Sequence, residues 1–575
     1  TTGIVDASGR GSSFTSDQSL SGSITSVYGS EAVGDLRFQA STRRAVLRTN
    51  DSIGPEIVIA GLADFGRPYG GTSARRENHY QAGYTYSRTQ GKHLFKTGGT
   101  VSRVNLDASV ADGFGGVYLF GDLGDFLNGQ PDQFRQAFGS TNVNFPVTAI
   151  GAFVQDHWSL TPHVMLDLGV RFDFEHLPAA FNQGTGNVSP RIGLAWSPSS
   201  KWVFRAGWGL FFDRYVLANL ARGIEKNGTQ AFELVADGPQ AASLFAAAEG
   251  GPLSAPAPGI APSIIRPDPH LATPYSQQAS AGVEYQLARN LTLRADYSRV
   301  RGVHLSRTRN INLLPPVVLT LANAARLGIF DPTPQQVGMA VFAPGRVDPR
   351  FDDIYQIEDS ASSTYQGVSF SLNRRMSDEF EFSAAYTLSK TIDDASDFEE
   401  QPENPFNLLA ERALSNQHQH QRFVFNALWD LPIGDNEGKG ETQAANRGWA
   451  SRMFSHIQVA AIVTLGTSRP VDPLTGLDSN RSHGFPLSTR PLERGRNSLQ
   501  TPGVASTDFR VLKYFPFGRS ARLDLVAEAF NLFNHPNILK INPVFGSNLA
   551  PLAGLGQPIE GAGARRIQFS LDFEF

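Results

Sequence analysis

Over long stretches of this chain every second residue is apolar. Leu166, Leu168, Val170, Phe172 and Phe174 alternate with Asp167, Gly169, Arg171, Asp173 and Glu175. Ile192, Leu194 and Trp196 alternate with Arg191, Gly193 and Ala195, and Trp202, Phe204, Ala206 and Trp208 alternate with Val203, Arg205 and Gly207. The last residues repeat the pattern: Ile567, Phe569, Leu571, Phe573 and Phe575 stand against Gln568, Ser570, Asp572 and Glu574. A period of two predicts β-strands with one apolar and one polar face.

Such strands centre near residues 23, 42, 60, 82, 100, 152, 169, 193, 208, 280, 299, 365, 386, 424, 459, 511, 528 and 570. Short turns join some of them, at Ser159–His163, Ser197–Ser200, Ala288–Asn290, Met376–Glu379 and Phe517–Ser520. Long segments rich in Pro, Gly and Asn separate the others, at Val216–Leu271, Asn310–Arg350, Asp393–Asn416, Val471–Ser506 and His535–Ala564. Structureless loops of that length are uncommon in compact soluble domains. Short turns on one rim and long loops on the other are the signature of a transmembrane antiparallel β-barrel. The count is about 18 strands, and an even number would start and finish the chain on the short-turn rim. In a barrel the apolar face meets lipid and the polar face a wet lumen, and every backbone group must be paired. Asp167, Arg171 and Asp173 then face the lumen, and Trp158, Trp196 and Trp202, beside short turns, form an interfacial belt. The alternative on periodicity alone is a soluble β-protein of several sheets.

Composition adds exclusions. The 575 residues carry a net charge of -4, which gives no basic field for nucleic acid. There is no cysteine, hence no disulfide and no thiolate metal or redox site. No apolar run approaches the length of a membrane helix; the best, Val459–Gly466, is short and strand-like.

Candidate chemistry is sparse. His418 and His420 alternate in Asn416–Gln421, but no carboxylate–histidine spacing completes a ligand set, and a structural hydrogen bond at a strand entrance is the expected role. Asp393, Asp394, Asp397, Glu399 and Glu400 supply oxygens of the kind Ca²⁺ needs, yet in no EF-hand order; a solvated loop is expected. Gly207–Phe212 and Asn436–Glu441 lack the context of a phosphate loop, and Gly466–Pro470 is turn chemistry rather than a nucleophile elbow. The residues give no catalytic, cofactor or metal site, and an enzyme is not expected. Pro239–Gly250 and Pro315–Phe330 are the only helix-like stretches, expected to pack within extracellular loops.

Several segments carry a family resemblance. Phe153–Glu175 resembles a strand–turn–strand signature of TonB-dependent outer-membrane receptors, and Ser189–Tyr215 resembles the next hairpin. Thr273–Asn312, Ser363–Asp394, Ala410–Gly434, Leu523–Ile538 and the terminal strand are similar to the Oar-like (carboxypeptidase-regulatory-like) branch, so the resemblance runs from about Gln81 onward. It implies energised uptake of a scarce or bulky ligand (iron chelate, cobalamin-like molecule, glycan or peptide) across the outer membrane of a Gram-negative bacterium. Members carry a signal peptide, a TonB-engaging box and a plug before the barrel, and none is seen in residues 1–575. The expectation is a barrel portion truncated at its N-terminal side, with about 18 of 22 strands, meeting the TonB complex through the absent region. The resemblance also implies that the barrel assembly machinery reads the terminal signal Ile567, Phe569, Leu571, Phe573 and Phe575. The alternatives left open are a plugless passive porin and a ligand-binding or adhesin barrel.

Overall fold

The alternation is realised as long antiparallel strands in the computed structural model, which describes residues 4–181, 184–377, 379–431, 455–517 and 521–575. Seventeen of them form one wall in sequence order: β1 (Gly11–Tyr28), β2 (Ala32–Thr49), β3 (Ser73–Gln90), β4 (His93–Ser109), β5 (Asn142–Thr161), β6 (Val164–His176), β7 (Val188–Ser199), β8 (Trp202–Phe212), β9 (Tyr275–Ala288), β10 (Leu291–Asn310), β11 (Ile354–Ser377), β12 (Phe380–Asp393), β13 (Gln421–Asp430), β14 (Ile457–Gly466), β15 (Val504–Phe517), β16 (Ala521–Phe530) and β17 (Arg566–Glu574). Each pairs antiparallel with the next, and together they curl into a barrel. No helix among the described residues is long and apolar enough to cross a membrane; the crossing elements are strands.

The registers fix the faces. Leu168, Ile192, Trp208 and Ala279 lie in one row across β6 to β9, and Gly193, Gly207 and Ser280 lie in the row beside it. The apolar row is exposed (Ile192 47%, Trp208 43%), as a surface bathed in lipid must be. Inside, Arg171 pairs with Asp173 at 2.6 Å and His157 with Asp167 at 2.5 Å, so the charges the pattern assigned to the lumen are there and compensated. The short-turn rim carries the aromatic belt: Trp158 stacks on His93, Trp196 on Phe204, and Trp202 packs on Tyr285 at 4.3 Å.

Seventeen of the eighteen expected strand centres fall on wall strands. The one near residue 60 does not. Glu56–Ile59 is a short strand of a separate six-stranded sheet, with Ile57, Val58 and Ile59 all buried. Four residues cannot span a bilayer, and burial on both faces demands protein rather than lipid around them. Among the described residues the wall therefore has seventeen strands, and β1 starts on the long-loop rim rather than on the short-turn rim that an even count would give. Consistently, Ile4–Val5, just ahead of β1, pairs with Ala63–Asp64 in the loop sheet.

That sheet is built from the long connections themselves: Ile4–Val5, Glu56–Ile59, Ala63–Gly66, Val117–Phe120, Gln133–Gly139 and Ala231–Asp237. Three helices accompany it: α1 (Leu123–Leu127), α2 (Leu217–Glu225) and α3 (Gly238–Ala247). One core joins Tyr118, Phe120, Phe134 and Ala241 with Phe245 of α3. Another seats Leu220 and Ala221 of α2 on Leu106, Ala108, Val143 and Phe145, the inner faces of β4 and β5 at their outer ends. The expected helix at Pro239–Gly250 is present as α3. Pro315–Phe330 instead forms a strand pair at Val317–Val318 and a single 3₁₀ turn at Ala325–Leu327 around buried Leu319 and Leu327. Gly328, in the left-handed region at φ 73°, ends that turn, so its apolar residues pack without helical continuity.

Candidate functional site

The long loops interlock over the barrel mouth through buried ionic groups. Arg135, on the strand Gln133–Gly139, is 1% exposed. It donates to Glu233 at 2.9 Å, to the Tyr355 hydroxyl at 2.8 Å and to the His483 carbonyl at 3.0 Å, with its guanidinium over the Phe485 ring. Glu233 also accepts from the Tyr69 hydroxyl. Arg135 stands in the loop after β4, and these partners come from the loops after β2, β8 and β14 and from the outer end of β11. A desolvated guanidinium is tolerated only when paired and hydrogen-bonded, so the side chain dictates how those loops meet.

His483 is the second node. Its Nε2 lies 2.8 Å from Asp237 and its Nδ1 2.9 Å from Asp353, with Asp352 at 3.5 Å. Carboxylates accept, so both ring nitrogens must donate and the ring is an imidazolium. Burial pushes its pKa down, but Asp353 and Asp237 outweigh this and hold it well above the usual histidine range. Asp352, Asp353 and His483 bring three ligand-type atoms within 4.8 Å of one another. Arg346 already lies 2.6 Å from Asp352, and the ring protons fill the remaining positions, so the geometry is a salt-bridge clamp rather than a metal cage. Beside it opens a cavity of about 280 Å³, lined by Asp237, Asp352, Arg346, Arg481 and His483 together with Val235, Ile260 and Phe342. A larger polar groove of about 890 Å³ follows the lumenal face of β1 to β4, lined by Ser21, Ser23, Asp35, Arg37 and Gln39.

The acidic stretch is not a solvated loop, and this corrects the sequence reading. Asp393 and Glu400 are bound by Arg496, itself fully buried; Asp394 pairs with Arg307 at 2.7 Å, and Glu399 with Arg222 at 3.6 Å. Arg490 performs the same task for Glu411 (2.5 Å), Glu403 (3.2 Å) and Asp472 (3.0 Å). Arginines supplied from distant loops and, in Arg307, from the outer end of β10 neutralise these carboxylates, a long-range pairing that local composition does not reveal. His418 accepts a hydrogen bond from the Thr391 amide at 3.2 Å and His420 contacts the Ser389 carbonyl at 3.2 Å, matching the structural role expected at the entrance to β13. The terminal-strand residues Ile567, Phe569, Leu571, Phe573 and Phe575 lie on the exposed face of β17, while Glu574 on the other face meets Arg522 at 2.6 Å. Asn436–Glu441 lies outside the described residues. Arg135 and His483 were not singled out from sequence: each is one polar residue among several in its segment, and the carboxylates that fix it, Glu233 and Asp353, lie 98 and 130 positions away.

A family model described as an outer membrane beta barrel domain matches residues 12–182, 177–494 and 492–568. Over 127 residues, 19% of this chain and 11% of the other, the sequence is 33% identical to the TonB-dependent transporter Oar of Myxococcus xanthus. Among solved structures, the outer membrane transporter YddB from Escherichia coli superposes with a TM-score of 0.58 at 11% identity, covering 98% of this chain and 63% of that one. The ferric enterobactin receptor PfeA from Pseudomonas aeruginosa gives 0.55 at 13% identity, with 98% and 62% covered. The siderophore receptor PiuA from Acinetobacter baumannii gives 0.52 at 11% identity, with 99% and 65% covered. The chain thus spans less than two thirds of the length of these receptors. With lipid-facing strands, a polar lumen and a family match along nearly its whole length, the chain belongs to the outer membrane β-barrel domain family and is a protein of the Gram-negative outer membrane.

Proposed function

We propose that this chain is the wall and loop cap of a TonB-dependent receptor that takes up a scarce or bulky ligand. The observation that carries the reading is the loop cap: the long connections after β2, β4, β8, β10 and β14, joined through buried Arg135 and His483, stand over a polar lumen. A passive pore has no need of so large an ordered lid, whereas a receptor needs a preformed surface that holds its ligand before passage. The partial identity to an Oar transporter supports the same choice. An iron chelate, a cobalamin-like molecule, a glycan and a peptide all remain compatible, with the cap and its mixed-charge cavity as the place of capture. No step of this role is catalytic.

The wall itself supports a larger barrel. β1 and β17 both run from the long-loop rim to the short-turn rim, and no register joins them among the described residues. They cannot pair antiparallel with each other. Closure in an all-antiparallel sheet takes an odd number of further strands between them, without which their outer edges would stand unpaired in lipid. In this reading a plug and a TonB-engaging segment also belong to the working receptor.

Two measurements test the proposal. In cells, ligand accumulation through the receptor should vanish when TonB is removed. In planar bilayers, the receptor should show no steady conductance at low voltage. Uptake that persists without TonB, together with steady open-pore conductance, would establish a passive porin instead.

A further inference from the structure

We infer that the outward face of β2 to β4, where the wall leaves the membrane, binds the phosphate of an outer-leaflet lipid. Arg44 of β2 and Arg76 of β3 are direct register partners on that face, and both are exposed. Like charges directly opposite one another on a sheet repel. Their neighbours on the lumenal face have carboxylate partners: Arg43 meets Asp17 at 3.5 Å and Arg75 meets Glu77 at 2.5 Å. Among the described residues no carboxylate lies within ion-pair distance of Arg44 or Arg76; Asp107 occupies the register position opposite Arg76 without reaching it. Arg48 and Arg103 share the outward face and extend the patch along β2 and β4. An anion between the arginines converts a repulsive pair into a bidentate clamp, the geometry guanidinium groups offer to phosphate.

The position argues for a lipid as the source. On β4 the alternation inverts. Val101 is apolar and outward, at 49% exposure, whereas beyond it Arg103, Asn105 and Asp107 face outward and Leu106 and Ala108 are buried inside. Outward polarity begins where hydrocarbon ends, so the arginines lie at headgroup depth. Below the Arg44–Arg76 row the outward face passes through the hydrogen-bonded pair Thr42–Asn78 to the row of Tyr80 (52% exposed), whose register partner on β4 is Arg103, and then to Phe38 (47% exposed), which together with Val101 opens an apolar surface for acyl chains.

The test uses the barrel extracted in detergent and native mass spectrometry, with phosphatidic acid, phosphatidylcholine of the same chains and inorganic phosphate as probes. The folded state of each variant is verified by heat-modifiable mobility. Phosphatidic acid should be retained in preference to phosphatidylcholine. Arg44→Gln with Arg76→Gln should weaken its retention about tenfold, while Arg43→Gln on the lumenal face should leave it unchanged. Should the double variant fail to assemble, Arg76→Gln alone should still weaken retention about threefold. Equal retention of the two lipids, unaltered retention by the variants, or displacement of phosphatidic acid by equimolar inorganic phosphate would each overturn the assignment.

Discussion

Arg135 Nη1 donates a 3.0 Å hydrogen bond to the carbonyl of His483, a residue 348 positions away. The two stand on loops that leave the wall on different sides of the mouth, after β4 and after β14, so one side chain couples the halves of the cap. Truncating Arg135 to Ala takes the guanidinium from the buried Glu233 carboxylate, leaving it only the Tyr69 hydroxyl and the charge of Lys226, and should destabilise the cap by about 3 kcal/mol. Replacing both partners, Arg135→Met with Glu233→Leu, should cost much less, because no charge is left unpaired. Limited proteolysis reads the outcome: cleavage in the loops should accelerate for the single variant while the wall keeps its heat-modifiable mobility. If the double variant proves as labile as the single one, the ion pair is not what locks the loops.

Cap stability should fall as pH rises. Burial pushes the Glu225 carboxyl on α2 up to about 8, against an ordinary value of 4.5; Asp112 adds to the rise, while Lys226 and Arg222 partly oppose it. Both of its oxygens are buried and without a hydrogen-bond partner. Between pH 4.5 and 8 the opened cap ionises this group and the packed cap does not, so opening becomes easier by up to about 1.4 kcal/mol per pH unit. His483 acts with the same sign above 6.5, because its raised pKa keeps a proton that the opened form loses. Asp132, pushed up to about 7 by burial and by Asp125, adds its share below that value. Hydrogen exchange of the cap between pH 5 and 8 should show the slope, and Glu225→Gln should make it shallower and protect the cap at pH 8. An unchanged slope in that variant would show that Glu225 is not buried in its neutral form.

The wall was legible in the sequence because its physics is local. Leu166 to Glu175 or Ile567 to Phe575 declare two faces without reference to any other part of the chain. The cap was not, because its order is made by distant pairs. Arg496 with Asp393 and Arg490 with Glu411 join segments 79 or more positions apart, and neither partner is distinctive in its own surroundings. The strand Glu56–Ile59 misled for the related reason that a short apolar run reads the same inside a loop sheet as in a membrane. The loops after β2 and β4 escaped notice because their strand-like composition masked their length.

The face assignment makes a depth-dependent prediction. Ile192, midway along β7 and 47% exposed, should tolerate Leu or Val but not Arg. A cation there should cost about 2–4 kcal/mol of barrel stability near the membrane midplane. Ser280→Arg, one row over on the lumenal face, should be nearly neutral, since its side chain enters water. Urea titration of the barrel in lipid vesicles compares the two. A reversed order would mean that the faces have been assigned the wrong way round.

The terminal strand connects sequence to assembly. β17 is tied to β16 by a ladder from Phe530↔Arg566 to Arg522↔Glu574, and Phe575 follows at 93% exposure, stacked on Phe573 at 5.9 Å between ring centroids. So exposed a ring adds little packing to the folded wall. If it serves as the mark by which the assembly machinery receives the chain, its deletion should reduce the assembled fraction in the outer membrane severalfold while leaving the stability of barrels that do assemble within about 0.5 kcal/mol. Glu574→Ala is the contrasting change. It removes a solvent-exposed pair with Arg522, worth at most about 1 kcal/mol, and should leave the assembled fraction unchanged. The ratio of heat-modifiable to unfolded band in isolated outer membranes measures the first effect, and urea titration of the purified barrel measures the second. A Phe575 deletion that assembles like the parent would remove the recognition role and leave the ring as one more contact with lipid.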